Sequence, residues 1–256
     1  MDLTTVAVPF TLTHLRPLLP AAPARIAEAG CGQGALAVAL ADLGYDVTGV
    51  DNDAQMAASA KERGVQVIYA DINEVSGEYD VVLFTRSLHH AKSMDDTLAH
   101  AVTLLAPAGQ IIIEEFAWER VDRAAAGFLY DNRAEMVAAG LLDTDIPSQD
   151  RLAAWVAGHD TLHRGSAMLE ALGRVGADVA TTDTSMLWRL VDGRGGRWIE
   201  PADRAVDAMT AMRRVEQGRI AAGDLPAVGL LASVRPRLND RRRQTLDPAP
   251  SPRPDQ

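Results

Sequence analysis

The sequence lacks the features of secreted and membrane-spanning proteins. Its 256 residues include one cysteine, Cys31, so no disulfide can form within the chain. No apolar run approaches the roughly 20 residues that cross a bilayer, and the first fifteen residues do not have the charged and then apolar segments of a secretory leader. These absences predict a cytoplasmic protein with no membrane partner.

An excess of positive charge is also missing. The chain has 25 Lys and Arg against 35 Asp and Glu, a net charge of −10. Residues 235–256 hold six of the arginines and three of the aspartates, so the rest carries −13 and would repel a phosphate backbone. We therefore expect a globular body over residues 1–234, no nucleic-acid partner, and a disordered Arg- and Pro-rich tail over residues 235–256.

The sequence does contain a regular alternation of strand and helix patterns. Five short β-rich runs fall between residues 25 and 116, separated by helix-forming segments. The fourth and fifth runs, YDVVLFT and QIIIEEF, are largely apolar, as in strands that are buried on both faces. This rhythm predicts an α/β fold, with a doubly wound, Rossmann-like and mostly parallel sheet.

The pattern changes after Phe116. Helical patterns follow one another with no strand pattern between them, at residues 123–139, 149–157 and 166–173. A β-rich stretch at 178–190, a helix at 202–220 and an apolar strand at 228–234 complete the body. The sequence therefore predicts one domain, with a core at 24–116, a helical insertion or lid at about 117–175, and C-terminal strands and a helix at 176–234.

A glycine-rich loop follows the first predicted strand. It reads EAGCGQG at residues 28–34 and opens the first predicted helix. Glycines at alternate positions let the backbone turn sharply and lie against a ligand. Dinucleotide folds favour the spacing G-x-G-x-x-G, in which a diphosphate sits on the helix N-terminus. The spacing here is G-x-G-x-G after an acid, which disfavours a nicotinamide-dependent oxidoreductase and suits a cationic ligand.

Acidic residues follow the second and third predicted strands. Asp51 ends the second strand, where a carboxylate can accept both hydroxyls of a ribose. Asp71 and Ile72 follow the third strand, in a position to hold the edge and face of an adenine. Because ligands of open α/β sheets bind outside the carboxyl ends of the strands, these residues and the glycine loop predict one nucleoside site.

With these motifs in this order, the sequence resembles the class I S-adenosylmethionine-dependent methyltransferases, whose first motif reads E/D-x-G-x-G-x-G. The resemblance runs from about residue 24 to residue 116 and includes the glycine loop, Asp51 and Asp71. It also includes the strand that leads to SLHH at residues 87–90 and the turn at residues 104–109. It implies a seven-stranded sheet with an antiparallel edge hairpin. Ala108 departs from the family, which commonly has glycine in this turn.

The resemblance implies S-adenosylmethionine as the cofactor and S-adenosylhomocysteine as the product. Glu28 would face the methionine amino or sulfonium end, Asp51 would hold the ribose hydroxyls, and Asp71 would hold the adenine amine. The backbone of Arg86 or Ser87 would close the pocket. The candidate cofactor-binding residues are Glu28, Gly30, Cys31, Gly32, Gly34, Asp51, Asn52, Met56, Asp71, Ile72, Arg86 and Ser87.

The acceptor side of the site is predicted from side-chain chemistry. Proton acceptors are needed near the cleft, and the candidate catalytic residues are His89, His90, His159 and His163. The candidate substrate-binding residues are Glu115, Tyr130, Arg133, Trp155 and Trp188. His159 and His163, four residues apart, would share a helix face, but without a third ligand we predict no metal site. Packing roles for these histidines and aromatics remain an alternative.

The sequence thus predicts an enzyme that transfers a methyl group from S-adenosylmethionine to a small, partly apolar or aromatic acceptor. Oxygen or nitrogen is favoured over carbon as the acceptor atom, and the N-terminal segment and helical insertion would exclude water. One alternative is a cofactor-binding protein that does not methylate. Another is a nucleic-acid or protein methyltransferase, which the acidic body and the sequence TRSLHH after the fourth strand disfavour. The acceptor and the oligomeric state stay open.

Overall fold

The computed structural model describes residues 4–147, 150–193, 196–199 and 202–237. The predicted tail lies outside the described residues from residue 238 onward. The strands are β1 (Arg25–Ala29), β2 (Asp46–Asp51), β3 (Gln66–Tyr69), β4 (Tyr79–Thr85), β5 (Leu105–Phe116), β6 (Leu142–Asp143), β7 (Ala180–Thr184), β8 (Arg197–Trp198) and β9 (Gly229–Val234). The α-helices are α1 (Thr4–Leu15), α2 (Ala35–Asp42), α3 (Ala54–Glu62), α4 (Met94–Thr103), α5 (Arg123–Ala138), α6 (Arg151–His159), α7 (Gly165–Val175) and α8 (Ala202–Ala221).

Seven strands form one sheet in the order β3-β2-β1-β4-β5-β9-β7. Strands β1 to β5 are parallel, and β9 runs antiparallel to both β5 and β7. This confirms the doubly wound α/β fold with a mostly parallel seven-stranded sheet and an antiparallel edge. The chain leaves β1 toward β2 and β3, then returns to place β4 on the other side of β1. That reversal opens a crevice at the carboxyl ends of the strands.

The central strands are buried on both faces, as their apolar sequences predict. Val82 and Phe84 pack with α4 and α7 on one face of the sheet, whereas Val81 and Leu83 pack with α2 and the end of α1 on the other. A separate apolar cluster lies under the insertion and includes Trp118, Trp155 and Trp188. The insertion therefore packs on a second core beside the sheet, which it shares with α1, α8 and the segment after β7. No helix in the described ranges combines the length and the apolar character needed to cross a bilayer.

Two local expectations were wrong. The β-rich stretch predicted at 178–190 forms a strand only at Ala180–Thr184 and then a 3-10 turn at Leu187–Arg189. The carboxylate of Glu216 accepts the backbone amides of residues 186, 187 and 188, which are therefore unavailable to a sheet. The insertion is also not wholly helical, since β6 pairs with β8 in a short antiparallel ribbon.

Candidate functional site

A cavity of about 390 Å³ opens at the carboxyl ends of β1, β2 and β4, in the crevice where the strand order reverses. This volume is within the usual range of small-molecule pockets. Its lining residues are Ala29, Gly30, Val50, Asp51, Asn52, Ala70, Asp71, Ile72, Asn73, Phe84, Arg86, Ser87, Leu88, His90, Ala91, Lys92 and Thr97. Among the candidate cofactor-binding residues, seven therefore share this cavity: Gly30, Asp51, Asn52, Asp71, Ile72, Arg86 and Ser87.

The glycine loop places backbone against the cavity because side chains are absent there. Gly30 has φ 71°, and a Cβ at this position would lie 2.5 Å from the Cβ of Ser87. The Ser87 hydroxyl donates to the carbonyl oxygen of Ala29 at 2.6 Å, which ties the loop to the end of β4. Gly34, with φ 78°, packs instead against Ala60 at the side of α3. The first glycine thus shapes the cavity, and the last shapes the helix packing.

Asp51 connects the glycine loop to the next turn. Its Oδ2 accepts the amide of Gly32 at 2.8 Å, and its Oδ1 accepts the amide of Asp53 at 2.9 Å. Each carboxylate oxygen retains acceptor capacity for a second donor. The two amides fix the carboxylate in place, so it can accept a pair of neighbouring hydroxyls without reorganising.

Asp71 is held in a similar way at the other end of the cavity. Its Oδ1 accepts the backbone amide of Asn73 at 3.0 Å and the side-chain amide of Asn73 at 2.9 Å. Ile72 and Thr97 line the same end. This end offers an acid and an apolar face to a flat polar ring.

Glu28 lies under the loop and is 2% exposed. Thr85 donates to its Oε1 at 3.1 Å, whereas its Oε2 is buried without a partner. Burial raises the pKa of Glu28 to about 8, and the charges of Glu114 and Asp51 add to the rise. An unpartnered buried carboxyl oxygen fits a ligand that brings a cationic group.

His89 and Glu115, predicted separately, form a buried pair. The Nδ1 of His89 lies 2.6 Å from Oε2 of Glu115, and the two side chains are 5% and 0% exposed. The Oε1 of Glu115 accepts the amide of Leu88 at 2.7 Å. When Nδ1 carries the proton, the carboxylate orients the ring and leaves Nε2 as the acceptor. The pair thus has the arrangement of a base and its orienting acid.

The other candidate histidines are separated from one another. His90 lines the cavity with part of its side chain exposed, and the burial of the remainder and the adjacent His89 lower its pKa. His163 bonds through Nε2 to the carbonyl oxygen of Ala91 at 2.8 Å. His159 is buried and stacks on Trp155 with ring centroids 3.7 Å apart. Helix α6 ends at His159, so His159 and His163 do not share a helix face as predicted.

Several candidate residues lie away from the cavity. Cys31 is buried against Gly49, and burial raises the pKa of its thiol to about 12, consistent with a space-filling role. Tyr130 and Arg133 line a second pocket of about 560 Å³ between α5, α6 and the ribbon. Gly32 and Met56 are partly buried and do not line the 390 Å³ cavity. Trp155 and Trp188 do not line it either, since they belong to the apolar cluster under the insertion.

Sequence reasoning missed a buried charge network on the β5 side of the cavity. The Nη1 of Arg189 lies 2.8 Å from Oε1 of Glu114, and Thr11 donates to the same oxygen at 2.9 Å. Thr11 and Arg189 are 178 positions apart, so no local pattern could have connected them. Asn73 and Thr97 of the cavity were also missed, although the position of Asn73 beside Asp71 is a signal that could have found it. Within the described ranges, no group of three metal-ligating side chains is present.

Comparisons with known proteins agree with this geometry. A model of the family described as "Methyltransferase domain" matches residues 27–113. A ubiquinone biosynthesis O-methyltransferase of Caulobacter sp. is 33% identical over 99 residues, 35% of this chain and 39% of that protein. An S-adenosyl-L-methionine-dependent Diels-Alderase of Talaromyces variabilis is 31% identical over 180 residues, 65% of this chain and 57% of that protein.

A solved structure shares the whole fold. A putative methyltransferase from an antibiotic biosynthesis pathway of Anabaena variabilis superposes with a TM-score of 0.56 at 14% identity, covering 91% of this chain and 100% of that one. The matches to curated relatives are shorter, since the chain spans about two fifths of the first O-methyltransferases that it matches. The family match at residues 27–113, together with the motif order and the sheet order, shows a domain of the class I S-adenosylmethionine-dependent methyltransferase type in this part of the chain.

Proposed function

We propose that the chain binds S-adenosylmethionine in the 390 Å³ cavity and transfers its methyl group to a small-molecule acceptor, with S-adenosylhomocysteine as the product. The observation that carries this proposal is that Asp51, Gly30 and Asp71 line one cavity at the switch in strand order. The cavity offers three features in the order that the cofactor requires. They are an acid for a ribose, a bare backbone for close approach, and an acid beside an apolar face for an adenine.

The residues at the methionine end also fit this cofactor. Glu28 has an unpartnered buried oxygen, and a cationic amino or sulfonium group nearby would favour its ionised form. When bound, the cofactor supplies a methyl group that is already activated on a sulfonium. The chain then has to hold the acceptor in line, exclude water and receive a proton.

His89 is the proposed proton acceptor, and Glu115 is its positioning residue. The 2.6 Å contact at Nδ1 leaves Nε2 to take a proton from an acceptor hydroxyl or amine. Glu115→Gln should bind S-adenosylhomocysteine as tightly as the wild type but lower kcat by about tenfold or more, because the ring loses its orientation. An unchanged kcat in both Glu115→Gln and His89→Asn would reject this base.

The cofactor proposal is tested by calorimetric titration of S-adenosylmethionine and S-adenosylhomocysteine. Asp51→Asn should lose at least about tenfold in affinity for both, because the neutral amide presents a donor to the ribose hydroxyls. Asp46→Asn is the matched control, since Asp46 is an exposed aspartate at the opposite end of the same strand. No binding by the folded wild type, or equal losses in the two variants, would reject the proposal.

The match to the Diels-Alderase supports a second candidate, a cofactor-dependent reaction without methyl transfer. A cycloaddition forms carbon–carbon bonds within the substrate and consumes no methyl donor. The two candidates differ in one measurable quantity, the amount of S-adenosylhomocysteine formed per product. Stoichiometric formation supports methyl transfer, and turnover with the cofactor unchanged supports the second candidate.

We also propose a partly apolar or aromatic acceptor and a cytoplasmic location. Phe84 and Leu88, at and after the end of β4, give the cavity an apolar wall, which suits an acceptor that is partly apolar or aromatic. The acidic body still disfavours a nucleic-acid substrate. The ubiquinone biosynthesis relative acts as an O-methyltransferase, and we propose an oxygen acceptor here as well.

A further inference from the structure

The guanidinium of Arg86 is not explained by the roles proposed so far. Arg86 lines the cavity beside Ser87 and Leu88. Its Nε is buried without a partner, and no residue in the described part of the chain gives its side chain a hydrogen bond or an ion pair. A largely buried cation in this state is costly to keep. The arrangement points to an anion that comes from outside the chain.

The neighbouring carboxylates are engaged elsewhere. Glu114 pairs with Arg189 at 2.8 Å and also accepts from Thr11. Glu115 accepts from the ring of His89 and from a backbone amide. Asp192, which accepts from the Trp198 ring, is the third acid that acts on Arg86 electrostatically, and none of the three is its hydrogen-bond partner.

Arg86 nevertheless keeps its charge at neutral pH. The field of Arg189 and burial lower the pKa of Arg86 to about 10. At neutral pH the cavity is therefore lined by a charged guanidinium that has no hydrogen-bonded partner among the described residues.

The backbone at Arg86 supports a specific role for this side chain. Arg86 has φ 54°, in the left-handed region that side chains rarely adopt. Its amide donates to the carbonyl oxygen of Glu114 at 2.8 Å, which fixes the end of β4 against β5. Strained residues of this kind concentrate at functional sites, where the strain positions a side chain.

The position of Arg86 in the sheet indicates whether its anion would belong to the cofactor or to the methyl acceptor. The ribose and adenine ends of the cavity, at Asp51 and Asp71, follow β2 and β3. The charged groups that act on Arg86 lie on β5 and on the segment from Arg189 to Asp192. Since the sheet order runs β3-β2-β1-β4-β5, the charged surroundings of Arg86 are on the side away from the nucleoside end. A methyl acceptor would lie on that side.

We propose, on the basis of the proposed function, that Arg86 binds a carboxylate of the methyl acceptor, so that the substrate is a small organic acid with a hydroxyl or amine to be methylated. A guanidinium can donate two parallel hydrogen bonds to a carboxylate. The methionine part of the cofactor carries the same group, and the experiment must separate these two sources.

The first arm of the experiment tests the cofactor carboxylate. S-Adenosylhomocysteine and 5′-methylthioadenosine, which lacks the amino-acid part, are titrated into the wild type, Arg86→Gln and Lys61→Gln. Lys61 is an exposed cation near the end of α3 that does not line the cavity, and it serves as the matched control. We expect each ligand to bind all three proteins within about threefold, since the proposed partner of Arg86 is the acceptor. A selective loss of S-adenosylhomocysteine affinity in Arg86→Gln would assign the guanidinium to the cofactor and overturn the proposal.

The second arm tests the acceptor carboxylate with the protein saturated by S-adenosylhomocysteine. Benzoate and its neutral analogue benzamide are titrated as probes, with binding followed by NMR. We expect the wild type and Lys61→Gln to prefer benzoate, and Arg86→Gln to bind benzoate about tenfold to a hundredfold more weakly. Equal benzoate affinity in the wild type and Arg86→Gln, or no benzoate binding by the wild type, would overturn the proposal.

The two arms also separate this inference from the function on which it rests. Retained S-adenosylhomocysteine binding shows that Arg86→Gln is folded and that the cofactor site is intact. If neither nucleoside binds the wild type, the proposed function fails and the inference fails with it. If both bind and benzoate does not, the inference alone is overturned.

Discussion

At the scale of single residues, Glu28 makes the stability of the fold depend on pH. Its carboxyl is buried with a pKa of about 8 in the folded chain, against a usual value of 4.5. Between those two values the folded state binds more protons than the unfolded state, so stability falls as pH rises and levels off above about pH 8. The slope for one such group is at most about 1.4 kcal/mol per pH unit.

Glu28→Gln should remove this dependence in the ligand-free protein. The variant resembles the protonated wild type, so the two should differ little near pH 4.5, and the variant should be more stable by several kcal/mol above about pH 8. Urea unfolding across this range measures the difference. Glu62→Gln is the control, because Glu62 is exposed on α3. A parallel pH dependence in the wild type and Glu28→Gln would contradict the expectation.

Ala108 is a second residue whose effect follows from its backbone. It has φ 66° at an exposed position in β5, within the stretch where the register with β4 shifts, and a Cβ costs about 1–2 kcal/mol there. Ala108→Gly should therefore raise the free energy of unfolding by about 0.5–1 kcal/mol after the larger entropy of the unfolded glycine chain is included. Ala58→Gly, in the exposed middle of α3, should lower it by about 1 kcal/mol. Chemical denaturation distinguishes the two signs, and a loss of stability in both variants would show that Ala108 is unstrained.

At the scale of elements, a single helix residue decides the structure of another segment. Glu216 of α8 is 0% exposed and accepts three consecutive amides of residues 186–188 at 2.7, 3.0 and 2.9 Å. These contacts hold the turn that carries Arg189, which in turn pairs with Glu114 beside the cavity. An apparently β-rich sequence thus becomes a turn because its hydrogen bonds are satisfied by a distant carboxylate.

Glu216→Ala should destabilise the protein by about 3 kcal/mol or more, since three buried amides lose their acceptor. Glu216→Gln retains one carbonyl oxygen and should fall between this variant and the wild type. Thermal and urea unfolding measure both, with Asp207→Ala, at an exposed site on the same helix, as the control. Equal stability of Glu216→Ala and Asp207→Ala would show that water replaces the carboxylate.

At the scale of the whole molecule, the cavity is built from residues far apart in the chain. Its wall includes segments that follow β1, β2, β3 and β4, so a ligand in it would bind only the folded state. Saturating S-adenosylhomocysteine, at about 100 times its Kd, should stabilise the fold by about 2.7 kcal/mol. For a chain of this size the increase in Tm is about 5–10 °C. Differential scanning fluorimetry checks this, and Asp51→Asn should show a much smaller shift at the same concentration.

Much of the fold and part of the site could be predicted from local sequence. The apolar runs of β4 and β5 determined strands that are buried on both faces, and the glycine loop placed Gly30 at the cavity. Asp51 and Asp71 were found because parallel strands bring their carboxyl ends to one edge. These features depend on short-range spacing and on a rule that holds for all sheets of this type.

Contacts between distant residues were decided only by the tertiary structure. The pairing of His89 with Glu115, the network of Thr11, Glu114 and Arg189, and the turn held by Glu216 join residues with no local pattern in common. Whether Arg86 has a partner likewise depends on which neighbouring acids are already engaged. The sequence by itself determined the order of elements and brought the residues proposed for the nucleoside to one edge of the sheet, because both follow from local spacing. The surroundings of Arg86 and His89 were decided by packing, because burial and pairing of charges depend on every element that surrounds them.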